Sequence, residues 1–306
     1  MEISPFHVDE LAAQSLAHQS SPGAGIRAFM PDQHRSFFEL LPYLFVATAD
    51  ADGWPVASVL HGETGFVRSP DATTLRIEAC MATNDPAAAG WQADRDVGLL
   101  GLDLSNRRRN RANGTLAAVD EHGATVAITQ SFGNCAQYIQ TRQPAAHPRS
   151  AAPIEHLAGL DAPARQLIGT ADTFFVASRS RTSIAQAGGL DVSHRGGRPG
   201  FVDVQGDTLS VPDFRGNRFF NTLGNLLGDP RAGLLFIDFA SGDLLQLQGV
   251  VTIDWTDRAA ARIAGAQRSW QLKIERAWRQ PHAFPFDWTF GDYAPTTLAT
   301  GVWASG

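Results

Sequence analysis

Short apolar or alternating runs separated by turn residues recur along the whole chain. Leu44 to Thr48, Thr74 to Ile77, Val97 to Leu104 and Thr125 to Thr129 read as strands, with Asp52-Gly53 and His122-Gly123 as turn pairs among them. A second series follows: Thr173 to Ala177, Gly200 to Val204, Thr208 to Val211, Gly233 to Phe239 and Leu244 to Ile253. Helical stretches are fewer. Asp32 stands before Gln33 to Leu41 and Asp161 before Pro163 to Ile168, each a suitable N-cap. Asn217 to Leu227 and Asp257 to Ala266 are expected to be longer helices. No regular strand–helix–strand alternation supports a parallel doubly wound sheet, so the pattern predicts an α+β protein built on antiparallel barrels.

The two series are versions of one pattern. Phe45-Val46-Ala47-Thr48 is echoed by Phe175-Val176-Ala177-Ser178 at an offset of 130, and Arg35 by Arg165. Gly65-Phe66-Val67 then matches Gly200-Phe201-Val202, Gly98 matches Gly233, Asp103 matches Asp238 and Gly114 matches Gly249, all at 135. The five extra residues of the second copy fall in the Gly-rich stretch Ser183 to Asp191, a longer strand connection. One register held over this length predicts two tandem repeats with short flanking helices, residues 1–150 and 151–306.

A net charge of −6 with 18% charged residues argues against a general nucleic-acid binder. Met1 to Glu10 holds Glu2, Asp9 and Glu10 and no apolar run, so neither a secretory signal nor a membrane span is expected. Cys80 and Cys135 have no paired spacing, which fits a reducing, cytoplasmic location, and the nine histidines form no zinc motif.

Candidate chemistry gathers in the second copy. Asp191-Val-Ser-His-Arg-Gly and Val211-Pro-Asp-Phe-Arg-Gly-Asn-Arg218 bring two basic clusters, on strands expected to be neighbours, to the start of the helix expected at Asn217. A helix start with free N–H groups, flanked by guanidinium groups, suits a phosphate, and Gly216 permits close approach of the backbone. The matching first-copy positions are Cys80, Met81, Ala82 and Thr83, with no cation. Loss of the cations from one copy points to binding rather than to a structural need of the repeat. Arg107, Arg109 and Arg111 share one face of another strand, two of them expected to meet solvent.

Gly200-Phe-Val, Asn217-Arg218 and Asp229-Pro230 resemble the pattern of the pyridoxamine 5′-phosphate oxidase superfamily of FMN-binding split β-barrels. The resemblance implies an FMN-dependent oxidoreductase whose flavin phosphate is held by Ser193, His194, Arg195, Asn217 and Arg218. Asn217 departs from the family's cation there, so Arg215 is a substitute candidate. It further implies Trp278, after Glu275, against the flavin, and Gln130, Ser131 and Arg109 reaching it from the other half, with Asn134 and Cys135 nearby. Substrate and electron donor or acceptor come from outside the chain. Two alternatives use the same barrel: a non-catalytic flavin- or haem-binding sensor, with His194 or His282 as axial candidates, and a deazaflavin-dependent reductase. Two barrels in one chain could complete an interface that the family builds by dimerisation, and a homodimer of such chains is also compatible.

Overall fold

The computed structural model describes residues 4–133, 135–181, 187–256, 258–259 and 261–303. The first half holds α1 (Val8–Leu16), α2 (Asp32–Glu39), β1 (Tyr43–Ala49), β2 (Pro55–His61), β3 (Val67–Asp71), β4 (Thr74–Ile77), β5 (Asp96–Asp103), β6 (Arg108–Asp120), β7 (Gly123–Gly133) and β8 (Arg142–Ala146), with a 3-10 turn at Pro86–Gly90. The second holds β9 (Glu155–Leu157), α3 (Ala162–Thr170), β10 (Thr173–Arg179), β11 (Leu190–Gly196), β12 (Asp203–Gln205), β13 (Thr208–Phe214), α4 (Asn221–Gly228), β14 (Arg231–Ile237), β15 (Leu244–Asp254), β16 (Ala266–Gln280), β17 (Phe286–Phe290) and α5 (Pro295–Leu298). The protein is mostly β with few helices, and no helix among the described residues is long and apolar enough to cross a membrane.

Two large antiparallel sheets form, ordered β2-β1-β5-β6-β7-β4-β3 and β11-β10-β14-β15-β16-β13-β12, with β9 added beside β16 and a separate pair β17-β8. The order is the same in both. Details match as well: Val97 faces Gly114 and Ala232 faces Gly249, and a register shift falls at Asn113/Gly114 in one sheet and at Gln248/Gly249 in the other.

Strand β1 is apolar from Leu44 to Ala47 because both of its faces are buried. Leu44 and Val46 join the core of the first sheet, while Tyr43, Phe45 and Ala47 join a cluster between the sheets with Phe175, Ala177 and Val192. Contacts across that layer are reciprocal. Phe45 stacks on Phe175 with centroids 3.7 Å apart. A Cβ on Gly98 of β5 would stand 2.8 Å from the Asp191 Cα on β11, and one on Gly233 of β14 would stand 2.4 Å from the Pro55 carbonyl on β2. Each glycine thus lets one sheet's third strand touch the other sheet's end strand.

Several expectations need correction. The helix expected from Asn217 begins at Asn221, because Arg218 (φ 65°) and Phe220 (φ 62°) adopt left-handed backbone that no helix continues. Between Asp254 and Ala266 the described residues make turns, with the Ala259 carbonyl accepting from Arg262 and Ile263; Asp257 and Ala260 lie outside the described residues. The strand expected at Gly200 to Val204 shrinks to β12, since Gly200 (φ 90°) and a turn from Arg198 to Phe201 precede it. Asp161 caps α3 by accepting from the Ala164 N–H at 2.9 Å, whereas α2 starts one residue early, with Pro31 at the cap position and Asp32 inside. Helix α1 was not anticipated; a capping box between His7 and Glu10 starts it. The extra stretch of the second copy falls partly on residues 182–186, outside the described residues.

Candidate functional site

Strands β11 and β13 are not hydrogen-bonded neighbours, as the two basic clusters had suggested. β11 ends the strand order and β13 stands near its other end. They meet nevertheless, because Arg195 ion-pairs with Asp213 at 3.0 Å. Beside that junction a cavity of about 700 Å³, its open mouth included, is lined by β11, β6, the 213–220 loop and the first turn of α4. A second lobe of about 480 Å³ adjoins it and shares Arg109, His194, Arg195, Phe214 and Gly216. The first lobe is polar. The second adds Tyr138, Phe201 and Pro212, together with Cys135 and Gln137. Arg109, Cys135 and Tyr138 belong to the first half of the chain and the other shared residues to the second, so both halves build the site.

Five guanidinium groups line the first lobe: Arg109, Arg111, Arg195, Arg218 and Arg268. Asp213 bridges Arg195 and Arg268 at 3.0 Å each, and Asp191 Oδ1 lies 2.8 Å from Arg111 Nε. No carboxylate among the described residues ion-pairs with Arg109 or Arg218. Burial, then the nearby Arg111 and Arg195, brings the Arg109 guanidinium down to about 9. A guanidinium stays protonated at neutral pH. The lowering therefore reflects a buried charge that no carboxylate among the described residues pairs with.

His194 sits 5.7 Å edge-on from Phe175, and burial, reinforced by the Arg109, Arg195 and Arg142 charges, holds its imidazole well below the usual histidine range. Its Nδ1 lies 3.5 Å from Arg109 Nη1. Because a guanidinium only donates, Nδ1 accepts and Nε2 carries the hydrogen of the neutral ring. Among the described residues that Nε2–H has no partner, and neither have the buried Nε–H groups of Arg109 and Arg195. Buried donors left unsatisfied cost free energy, and an acceptor entering the lobe would recover it. Three bulky residues around the two lobes, Tyr138 (φ 62°), Arg218 and Phe220, hold left-handed backbone, a strain that accumulates at functional sites.

The sequence candidates divide. Ser193, His194, Arg195, Asn217, Arg218 and Arg109 line the first lobe. Ser193 Oγ is already engaged, accepting from Arg111 Nη2 (2.6 Å) and Thr222 Oγ1 (2.9 Å) and donating to Asp191 (3.2 Å). Asn217 Oδ1 accepts from the Phe219 N–H at 3.0 Å, and Arg215 is exposed outside the lining. Gln130 faces a separate small buried pocket with Asn113 and Asp191, and Ser131 bonds His34 at 3.1 Å. Trp278, expected against the flavin, is buried in β16 and edge-on to His156, outside both lobes. His282 is exposed, its Nδ1 3.1 Å from the Ser241 carbonyl. Cys135 lines the second lobe; Asn134 lies outside the described residues.

Arg111 is the main residue the sequence reading misplaced. It was one of the arginines expected to meet solvent, yet it is 4% exposed. The opposite sheet's β11 covers that face of β6, and strand periodicity carries no record of a second sheet. Arg107, also expected at solvent, ion-pairs with Asp292 at 2.7 Å. The helix-start residues Asn221 and Thr222 were missed for want of the correct helix boundary.

At the corresponding place in the other half the equivalent residues meet a buried carboxylate. Register equates Ser58 with Ser193 and Gln246 with Arg111. There the buried Asp85 carboxylate accepts from Ser58 Oγ (2.6 Å), Gln246 Nε2 (3.2 Å), Gln280 Nε2 (3.0 Å) and the Ala87 N–H (2.7 Å). No group of His, Cys, Asp and Glu able to hold a metal ion occurs among the described residues.

Residues 30–154 match the family model described as pyridoxamine 5′-phosphate oxidase. The match falls on the first half, not on the half whose motifs suggested it. No curated protein matches the sequence. Among solved structures, HupZ of Group A Streptococcus is 13% identical, with 39% of this chain and 91% of that one covered at a TM-score of 0.31. An FAD-binding protein from Mesorhizobium loti is 11% identical, covering 42% and 97% at 0.27. General Stress Protein 26 from Bacillus anthracis is 9% identical, covering 42% and 95% at 0.26.

Proposed function

We propose that this protein, whose residues 30–154 match the pyridoxamine 5′-phosphate oxidase family model, is a split β-barrel of that superfamily, binds FMN in the two-lobed cavity and acts as an FMN-dependent oxidoreductase. The observation that carries this reading is the set of unpaired donors and uncompensated cations, Arg109, His194, Arg195 and Arg218, beside an aromatic lobe. A phosphate monoester satisfies the first lobe, and a planar ring suits Tyr138, Phe201 and Phe214 in the second.

In this reading Arg109, Arg195 and Arg218 bind the phosphate, with the N–H groups at the start of α4 adding a favourable dipole. Neutral His194 donates Nε2–H to the ligand and takes no proton at physiological pH, because the surrounding guanidinium charges oppose its protonation. Phe214 and Tyr138 exclude water from the second lobe. FMN supplies the hydride and electron chemistry, while the chain supplies position and field. A small-molecule substrate and an external electron donor or acceptor complete the turnover, which the unpaired cysteines suit to the cytoplasm.

We read the chain as a tandem duplication, about residues 1–150 and 151–306, supported by the shared strand order, matched register shifts and reciprocal glycine contacts. Its two halves supply one interface with an open lobe at one place and the buried Asp85 carboxylate at the corresponding other. The absorption spectrum of the purified protein, with mass identification of the released ligand and titration of FMN, tests both readings. One FMN per chain is expected. A deazaflavin or haem spectrum would replace the cofactor, and two equivalent FMN sites would overturn the asymmetry.

A further inference from the structure

Behind the polar lobe lies a buried cluster that the binding reading does not use. Glu10 of α1 is 3% exposed. Its Oε1 accepts from Asn221 Nδ2, and its Oε2 accepts from the His7 N–H at 2.9 Å. Asn221 opens α4, and its own Oδ1 accepts from Arg111 Nη1 at 3.2 Å. A continuous chain, Glu10–Asn221–Arg111, therefore runs from the N-terminal helix to the lobe wall.

The approach of the two helices is built in. A Cβ on Gly224 of α4 would stand 2.6 Å from the Glu10 Cα, and one on Gly228 would meet the Asp9 carboxylate. His7 Nε2 meets Asn225 Oδ1 at 2.8 Å, and Asp9 pairs with Arg181 at 2.6 Å, so the start of α1 is pinned immediately ahead of Glu10. The segment that follows α1 reaches the cavity itself, where Gln19 lines the first lobe.

Resting on the FMN reading, we propose that Glu10 is a positioning residue for Arg111 and that anion binding in the first lobe is coupled to proton uptake at Glu10. The groups facing Glu10 are His7 from its own segment, Asn221 from α4, Asp191 from β11 and Arg111 from β6, with Asn225, Asn113 and Gln130 lining the same small pocket, while Asp9 and Arg181 act on His7 beside it. One guanidinium, Arg111, thus serves two carboxylates, Asp191 directly and Glu10 through Asn221. An anion arriving in the lobe competes for that charge. The carboxylate without a direct cation then gives way by taking a proton.

Burial, ahead of the hydrogen bonds from His7 and Asn221 that oppose it, pushes the Glu10 carboxyl up to about 7. Bound anion raises it further, so binding takes up protons and affinity falls as pH rises from below 7 towards 9. A rise of one pH unit in the carboxyl's midpoint would weaken binding about tenfold across that window. His7 would give the same sign, but burial holds it below the usual histidine range, so it stays neutral and takes up no proton in this window.

The experiment is calorimetry of the full chain at pH 7 in buffers of different ionisation enthalpy, with two probes, FMN and sulfate, the second having no proton of its own to exchange near pH 7. Wild type should take up protons with both, and Glu10→Gln should remove that uptake and flatten the pH profile while still binding. In the unaltered protein, difference infrared spectroscopy should show a carboxylic acid C=O band growing on anion binding, a readout that does not depend on the variant folding. Equal proton uptake by wild type and Glu10→Gln, or no new carboxylic acid band, overturns the coupling. FMN bound without proton uptake removes the coupling and leaves the flavin reading. Sulfate bound with proton uptake, but no FMN binding, does the reverse.

Discussion

Arg109→Met separates two consequences of a buried charge and drives them in opposite directions. The guanidinium sits at about 9 because of burial and its cationic neighbours Arg111 and Arg195, with no carboxylate paired to it. At about 1.4 kcal/mol per pH unit, holding that charge costs the ligand-free fold on the order of 5 kcal/mol, an upper figure because water at the cavity mouth screens it. The Arg109–His194 contact is lost on substitution, and methionine fills most of the stem's volume. Ligand-free Arg109→Met should therefore be more stable than wild type by about 1–3 kcal/mol, as when other buried ions give way to apolar side chains. FMN affinity should fall roughly tenfold to hundredfold, the worth of one hydrogen bond to a charged group.

Urea melts measure the first effect without adding salt, and a shifted midpoint at constant slope identifies a change in stability alone. Flavin fluorescence titration measures the second. Arg109→Lys keeps a charge but loses the forked donor geometry, and should retain intermediate affinity. An Arg109→Met protein that is less stable than wild type without ligand and binds FMN equally well would refute the counter-ion argument.

Arg218→Ala should weaken FMN more than riboflavin; since Arg218 is exposed, the loss should be near tenfold and should shrink with added salt, while Arg108→Ala, whose guanidinium lies 4.8 Å over the Phe37 ring, leaves both ligands unchanged. Equal weakening of both ligands by Arg218→Ala would remove it from the phosphate site. Asp85→Ala should destabilise the fold by about 2–4 kcal/mol, because Ser58, Gln246 and Gln280 lose a shared buried acceptor, and should leave FMN affinity in the open lobe unchanged. Denaturant titration beside a flavin titration checks both halves of that statement.

Local pattern alone determined much of the scaffold. Thr74–Ile77 reads as a strand and is one, and the runs around Leu44, Val97 and Thr173 lie in β1, β5 and β10, because alternation and apolar continuity reflect faces buried within a short distance along the chain. The strands that the spacings of 130 and 135 align, β1 with β10 and β5 with β14, hold the same places in their sheets. Of the residues singled out in the sequence, His194, Arg195 and Arg218 line one lobe of the candidate site. The rest depended on the chain's return. Arg109 and Arg111 enter the lobe because the second sheet lays β11 against the face of β6, and Gly98 matters because a strand about ninety residues away passes where its side chain would be. Helix α4 starts late because two bulky residues are held in left-handed backbone that the surrounding packing imposes. Asp85 and Arg111 both find buried partners supplied by the opposite half. Periodicity reports whether a residue is buried, whereas which charge meets which is decided by how the two sheets pack.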